Sequence, residues 1–547
     1  MDLSKARPPP DAHHDLPPAK KPRTSAPDAK QKDKKKLRKK ELELPDRYSA
    51  EGVLWQDMVS ILGEDVVDKA IQDGTSFNNP YEYDDILDVN IVSLSSTGEA
   101  IGLATGTKRR PWIIVTRFCV PGETVRVRVY WNRMLHSYAH LIDVNTPNLQ
   151  LRDNDRIKCQ YFGKCGGCQY QMLSYEQQLK LKRDVIVKAY KSCSDLPESS
   201  IPVIQDTIPS PLEYGYRTKL TPHFDAPPKP YRFQKAEVKD GVVQKPEWFR
   251  IGFNIAGTHK VLDIEECPIS TPTLNNALPS VRENIYRNLH TYAKGVSLTL
   301  RDSLVIPSPD SIPSPSSAAP EPDPVDQLTT SLDHHICISN PKGTVREKVG
   351  DWIFEYGASS FFQNNNSILK PLTDYVRDAI FPSSSSRTPP THLVDAYCGS
   401  GLFSITLSPY FGHIAGIELA PESIKAAKHN AQINHIPSTK ISYRAGDAAD
   451  VFAVVRRDFE PAKTVLVIDP PRKGCDDNFI KQLLSFRCAT VVYVSCNVHT
   501  QARDVGRLVS GTERDREGRR YVVESLRGFD LFPQTAHVEG VAVLRLV

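Results

Sequence analysis

The stretch VVYVSCNVHTQARD (491–504) sets a thiol at the end of an apolar run. Val491 to Val494 read as a buried strand, and the polar residues beyond Asn497 have helix-forming character. Cys496 therefore stands at the carboxyl end of a strand, where open α/β sheets keep ligands and reacting groups. The amide dipoles of a helix starting beside it would favour thiolate. A cysteine so placed is a nucleophile or one more buried thiol, and position alone leaves both open. Near the end of the chain, FPQTAHVEGVAVL carries Glu539 just ahead of an apolar strand. By itself that carboxylate reads equally as a solvated strand start. His537 reads either as a polar contact or as an ordinary hydrogen-bonded histidine.

A second group of residues suits a nucleoside. THLVDAYCGSGLFSITL (391–407) reads as strand, glycine turn and helix, and Gly399 and Gly401 let backbone come close to a ligand. The next strand, HIAGIEL, ends on Glu418, whose carboxylate can hold two ribose hydroxyls. Ser404 stands where a dinucleotide fingerprint has its third glycine. Downstream, Asp447 is placed to reach an adenine, and KTVLVIDPPRKG presents Asp469 and Arg472 at a further strand end. A nucleoside cofactor without a pyrophosphate fits best. S-adenosyl-L-methionine is the natural candidate, and methyl transfer the natural chemistry.

The third group is Cys159, Cys165 and Cys168 in KCQYFGKCGGCQYQ, with Cys267 about a hundred residues later. Four thiolates suit a tetrahedral zinc or an iron–sulfur cluster; reduced thiols holding nothing are the third reading. Eleven cysteines without a secretory signal point to metal binding and catalysis rather than a disulfide framework.

Positioning these groups needs several domains, and 547 residues allow them. Residues 1–45 read as a disordered basic tail. Its run KKPRTSAPDAKQKDKKKLRKK (20–40) is a solvating tail, a nuclear-localisation signal or an RNA-binding arm. Asp2, Asp11 and Asp15 argue against a mitochondrial transit peptide, so nucleus or cytoplasm is expected. No apolar run of about 18 residues occurs, so no membrane partner is expected. Residues 46–80 read as a helical linker, its helical spacing ending near Gly74. From 84 to 145, apolar and polar residues alternate between glycine turns, predicting a small antiparallel barrel similar to OB-type RNA-binding modules. Arg126 and Arg128 fall on its outer face, opposite Val125, Val127 and Val129. Residues 150–350 read as a mixed central domain with a disordered insertion at 303–333. From 351 to 547, strands and helices alternate as in a parallel α/β sheet.

FFQNNNSI (361–368), DAYCGSGLFS, IDPPRKGC, YVSCNVHTQARD and FDLFPQTAHVEGVAVL, in this order, closely resemble the RNA (uracil-5)-methyltransferases, especially the eukaryotic, fungal-like tRNA branch. The resemblance covers 350–547, and the barrel looks like the TRAM domain of many members. It implies a Rossmann-like catalytic domain that methylates uracil C5 in tRNA, at position 54. It makes Cys496 the nucleophile and Glu539 the base, and puts Gln363, Tyr397, Glu418 and Asp469 at the cofactor. Asp469 and Arg472 could also touch the uracil, and Phe361 or Phe362 could stack on it. Where members often have Asn at the cofactor, this chain has Leu402. The cysteine pattern resembles the [4Fe–4S] motif of the ribosomal RNA branch, with zinc or no metal as alternatives. Ribosomal RNA is the rival substrate, a catalytically silent RNA-binding factor the rival function, and a monomer the expected state.

Overall fold

Seven strands that run in one direction and one that runs against them make one eight-stranded sheet. Its order is Ile441–Ala445, His413–Glu418, His392–Ala396, Thr464–Ile468, Thr490–Ser495, Glu539–Leu546, Tyr521–Phe529 and Gln205–Ile208. The next four strands after the half-exposed edge strand Ile441–Ala445 are largely apolar and buried, as a parallel sheet covered on both faces requires. Thr464–Ile468 and Thr490–Ser495 are buried at every position. The terminal strand Glu539–Leu546 then runs antiparallel to Thr490–Ser495. This is the largely parallel α/β domain expected from the alternating pattern.

The computed structural model describes residues 44–105, 112–231, 238–239, 242–305, 334–383, 388–446, 452, 455, 457–512 and 518–547. The basic tail up to residue 43, Asp447, and the insertion from 306 to 333 lie outside the described residues. The chain divides into Met1–Leu44 and Pro45–Val547, and the sheet belongs to the second unit. Leu300–Val305 pairs with His334–Ile338, so ordered strand continues to Val305 before the insertion.

The barrel exists and is closed, through Ile86–Leu94, Ala100–Ala104, Ile113–Thr116, His136–Thr146 and Thr124–Arg133. Val125, Val127 and Val129 point into its core while Arg126 and Arg128 are exposed, as the period of two requires. The linker holds two helices. Gly63 takes a left-handed φ of 87° and divides it into Ala50–Leu62 and Glu64–Gln72.

The barrel also has less independence than its sequence pattern suggests. Its core includes Tyr170, Met172 and Leu173 from the central region and Ala536 from the catalytic region. Asp57, on the helix Ala50–Leu62, accepts the Ser96 amide (2.7 Å) and pairs with Lys188 (3.2 Å). The central region likewise donates the strand Gln205–Ile208 to the edge of the catalytic sheet. Among the described residues, no helix is long and apolar enough to cross a membrane.

Candidate active site

Strand register brings the thiol and the carboxylate together. Ser495 pairs with Gly540 in the antiparallel ladder, so the next residue outward on each strand is Cys496 and Glu539. Gln501, on the helix Val498–Thr512, fastens this corner: its amide donates to the carbonyls of Tyr493 (2.7 Å) and Gly540 (3.0 Å). Gly540 has to be glycine, because a Cβ there would stand 2.6 Å from Gln501 Oε1.

Both residues line a cavity of about 1320 Å³. Glu539 is 1% exposed, and its Oε1 has no hydrogen-bond partner. Burial, and then the charge of Asp469, push its pKa well above the ordinary carboxylate range, while Arg472 opposes them. A carboxylate of raised proton affinity is suited to taking a proton near neutral pH. Burial likewise raises the Cys496 pKa to about 12, helped by the charges of Glu539 and Asp469. Arg472 works the other way, its guanidinium drawing the pKa down. It is the group that favours thiolate.

Arg472 is held by the helix that follows the thiol. Its carbonyl accepts from Asn497 Nδ2 (2.9 Å) and Thr500 Oγ1 (3.1 Å). Arg503 Nη2 donates to the Lys473 carbonyl (2.9 Å), and Asp504 accepts the Cys475 amide (2.7 Å). These four residues share one helix face at three- and four-residue spacing. The polar half of NVHTQARD thus grips the segment that carries Arg472. Cys475 itself is buried beside Tyr493 and belongs to the packing, as does Cys398.

The nucleoside side of the cavity follows the sequence reading closely. Tyr397 (φ 63°), Gly399 (φ 53°) and Gly401 (φ 94°) make the turn after His392–Ala396. Asp395 holds it by accepting the Ser404 amide (2.8 Å). Glu418 accepts from the amides of Gly399 (3.3 Å) and Ala420 (3.0 Å). On the side where a Gly399 side chain would lie, nothing stands within 4 Å. Gln363, Tyr397, Gly399, Leu402, Glu418 and Asp469 all line the cavity. An open glycine cradle beside a carboxylate is what a nucleoside with a ribose diol fits. Asp469 has its pKa pushed up to about 7, by burial first and then by Asp395 and Glu418.

The two phenylalanines of FFQ part company. Phe362 is buried and stacked on Tyr356 at 4.6 Å. Phe361 is 70% exposed on the cavity wall, leaving it alone as a stacking candidate. His537 also lines the cavity, its pKa lowered to about 3 by burial and by the charges of Arg472 and Lys182.

The segment 530–537 ahead of Glu539 is held by residues no pattern singled out. Asp530 forms a fully buried ion pair with Lys182. Tyr216 donates to the Pro533 carbonyl (3.0 Å), and the amides of Gln169 and Tyr170 donate to the Gln534 carbonyl (2.9 and 3.1 Å). Gln534, with φ of 70°, exchanges hydrogen bonds with Gln178. The barrel reaches this segment too: Thr97 lines the cavity, and a Cβ on Gly98 would stand 2.6 Å from Ala536 Cβ. On the barrel's outer face Arg126 is engaged by Asp88 (3.0 Å), which leaves Arg128 the freer of the two expected RNA contacts.

Cys159, Cys165, Cys168 and Cys267 converge next to the cavity. Burial raises the pKa of all four thiols, and the charges of neighbouring cysteines raise Cys165, Cys168 and Cys267 further. Among the described residues, no group of three or more His, Cys, Asp or Glu side chains is arranged to hold a metal ion. Gly166 and Gly167, between these cysteines, line the cavity.

With this geometry in place, comparison with known proteins is specific. Residues 335–546 match the family model described as tRNA (Uracil-5-)-methyltransferase. The chain is 39% identical over 483 residues to the tRNA (uracil(54)-C(5))-methyltransferase of Schizosaccharomyces pombe, covering 88% of this chain and 82% of that protein. It is 35% identical over 516 residues to the Saccharomyces cerevisiae protein of the same name, covering 91% and 78%. The crystal structure of Pyrococcus abyssi tRNA (uracil-54, C5)-methyltransferase in complex with S-adenosyl-L-homocysteine superimposes with a TM-score of 0.53. That structure is 21% identical, over 84% of this chain and all of that one, and the likeness bears on the fold.

Proposed function

The chain belongs to the tRNA (uracil-5-)-methyltransferase family, and from that premise we propose that it methylates carbon 5 of uracil in tRNA, at position 54 as its named relatives do. The observation that carries this reading is the meeting of Cys496, Glu539 and Arg472 in the cavity that also contains the glycine cradle and Glu418.

Uracil carbon 5 is a weak nucleophile, and the site answers that difficulty. Cys496, made thiolate beside Arg472, adds through sulfur to carbon 6, and the electron pair of the 5,6 double bond shifts toward carbon 5 and the O4 carbonyl. S-adenosyl-L-methionine supplies the methyl group that carbon 5 then takes. Glu539 removes the remaining carbon-5 proton, the 5,6 double bond re-forms, and the Cys496 sulfur leaves. Gln363, Tyr397, Glu418 and Asp469 are the residues we assign to the cofactor. A uridine within folded tRNA reaches Cys496 only when flipped out, at a cost of about a few kcal/mol; Phe361, exposed on the wall, is placed to stack against it.

For Cys159, Cys165, Cys168 and Cys267 we infer a [4Fe–4S] cluster, supported by their chemistry as four neighbouring thiols, with zinc or no metal as the alternatives. Anaerobically purified protein should be brown, with iron and sulfide in equal amounts. Zinc without sulfide would replace this assignment, and protein without metal would remove it. The barrel is the TRAM-like RNA-binding module of this reading, the protein acts as a monomer, and its basic tail suits the nucleus and cytoplasm.

The test of function is methyl transfer from labelled S-adenosyl-L-methionine to tRNA and ribosomal RNA transcripts. Label should enter wild-type tRNA as 5-methyluridine and be lost from a transcript with cytidine at position 54. Label entering only ribosomal RNA would overturn the choice of substrate.

A further inference from the structure

Beside the cavity lies a pair of cations that the reaction does not use. Arg217 and Lys219 sit two residues apart, Lys219 opening the short strand Lys219–Leu220, and the alternation with buried Tyr216, Thr218 and Leu220 puts both on one side of this extended stretch. Across the antiparallel ladder, the residue opposite Lys219 is Arg301, and like charges directly opposite are destabilising. Arg301 turns inward. It donates to the carbonyls of Ala358 and Ser360 and to Asn364 Oδ1, holding the loop that presents Phe361 and Gln363.

Among the described residues, no carboxylate balances the pair. The groups acting on Lys219 are the charges of Arg301 and Arg217, which together with burial lower its pKa. The neighbouring Asp302 is taken by His335 at 2.6 Å. Glu347, whose charge Arg301 feels, is bonded to Tyr356 and Asn366 instead. Arg217 donates Nε to the Lys219 carbonyl (3.0 Å), lies 5.7 Å from the Phe532 ring and lines the cavity. Arg217 is thus fixed at the cavity wall with Lys219 two residues beyond it, and no carboxylate among the described residues forms an ion pair with either.

We propose that Arg217 and Lys219 clamp a phosphodiester of the RNA backbone beside the flipped uridine. The ligand is an anion because two adjacent cations face it with no carboxylate bonded to either, and a backbone phosphate because the cavity that Arg217 lines admits the base. This rests on RNA being the substrate. A contact of this kind positions the strand without reading sequence, while the pocket around Cys496 selects uracil.

Salt dependence tests it, since each phosphate neutralised contributes about 0.7–0.9 to the slope of log affinity against log salt. Full-length protein carrying Arg217→Gln and Lys219→Gln together should bind a tRNA transcript with a slope shallower than wild type by that amount. Between about 50 and 200 mM KCl, wild type should then lose about threefold more affinity than the double variant. Either single variant should shift the slope in the same direction by less, and Lys219→Arg should keep the wild-type slope. Calorimetric S-adenosyl-L-methionine affinity of Lys219→Gln should match wild type, which shows that the fold is intact. A wild-type slope in the double variant would overturn the clamp and leave uracil methylation standing. Wild-type protein that binds no tRNA transcript would overturn the functional reading and the clamp together.

Discussion

Replacing Glu539 by Gln should separate the two halves of the reaction. Glutamine keeps the shape of the buried side chain but cannot take a proton from carbon 5. A positioned base contributes about 10²–10⁴ in rate, so release of methylated RNA should slow by that factor. Attack should not slow with it. The Glu539 charge is the largest cause after burial of the raised Cys496 pKa, and only Arg472 opposes it. Removing that charge leaves the thiol easier to ionise. Covalent protein–RNA complex carrying the transferred methyl group should therefore accumulate on ordinary tRNA. Denaturing gels of single-turnover mixtures with methyl-labelled S-adenosyl-L-methionine measure both steps. Steady-state turnover within tenfold of wild type would refute the reasoning. So would a variant that binds tRNA and cofactor normally yet builds up no complex, because the role of base would then belong to another group.

Lys182→Met strands Asp530 in a fully buried site and should cost about 3–5 kcal/mol in urea unfolding, with turnover falling because Asp530 opens the segment leading to Glu539. Gly98→Ala puts a Cβ against Ala536 at a φ of 92° and should destabilise the protein by about 1–3 kcal/mol, measured by thermal melting. Asp395 has its pKa pushed up to about 7 by burial, so the folded state holds a proton that the unfolded chain, near 3.8, has already released. Its contribution to stability is complete below about pH 4 and is lost as pH rises through 7. Melting temperatures should fall across that window, and Asp395→Asn should flatten the fall.

Much of the site was legible because its parts follow local rules. The strand ends carrying Cys496, Glu418 and Asp469 are marked by apolar runs that stop abruptly, and the Gly399–Gly401 turn by its glycines. The pairing of Cys496 with Glu539 was legible only through family resemblance, because it depends on the register of two strands separated by 43 residues. Periodicity marks a strand's faces and leaves its partner unmarked. Arg472 could be read beside Asp469 in IDPPRKG, yet its hold on Cys496 depends on Asn497 and Thr500 reaching back from another element. The grip of Gln169, Gln178 and Lys182 on 530–537 spans more than 340 residues, and no spacing rule connects such positions. The barrel's alternation was plain, but its shared core with Tyr170 and Ala536 was not, because apolar residues at 170–173 carry no mark of what they pack on. For the same reason, deleting residues 1–145 should expose apolar core in the catalytic half as well as remove RNA contacts.

The most direct measurement is to trap the reaction on tRNA containing 5-fluorouridine, where carbon 5 has no proton to lose after methylation, and to map the cross-linked peptide by mass spectrometry. The RNA should be found on Cys496 in wild type, with one added methyl group, and no adduct should form in Cys496→Ala. An adduct on another cysteine, or one that persists in Cys496→Ala, would contradict the account.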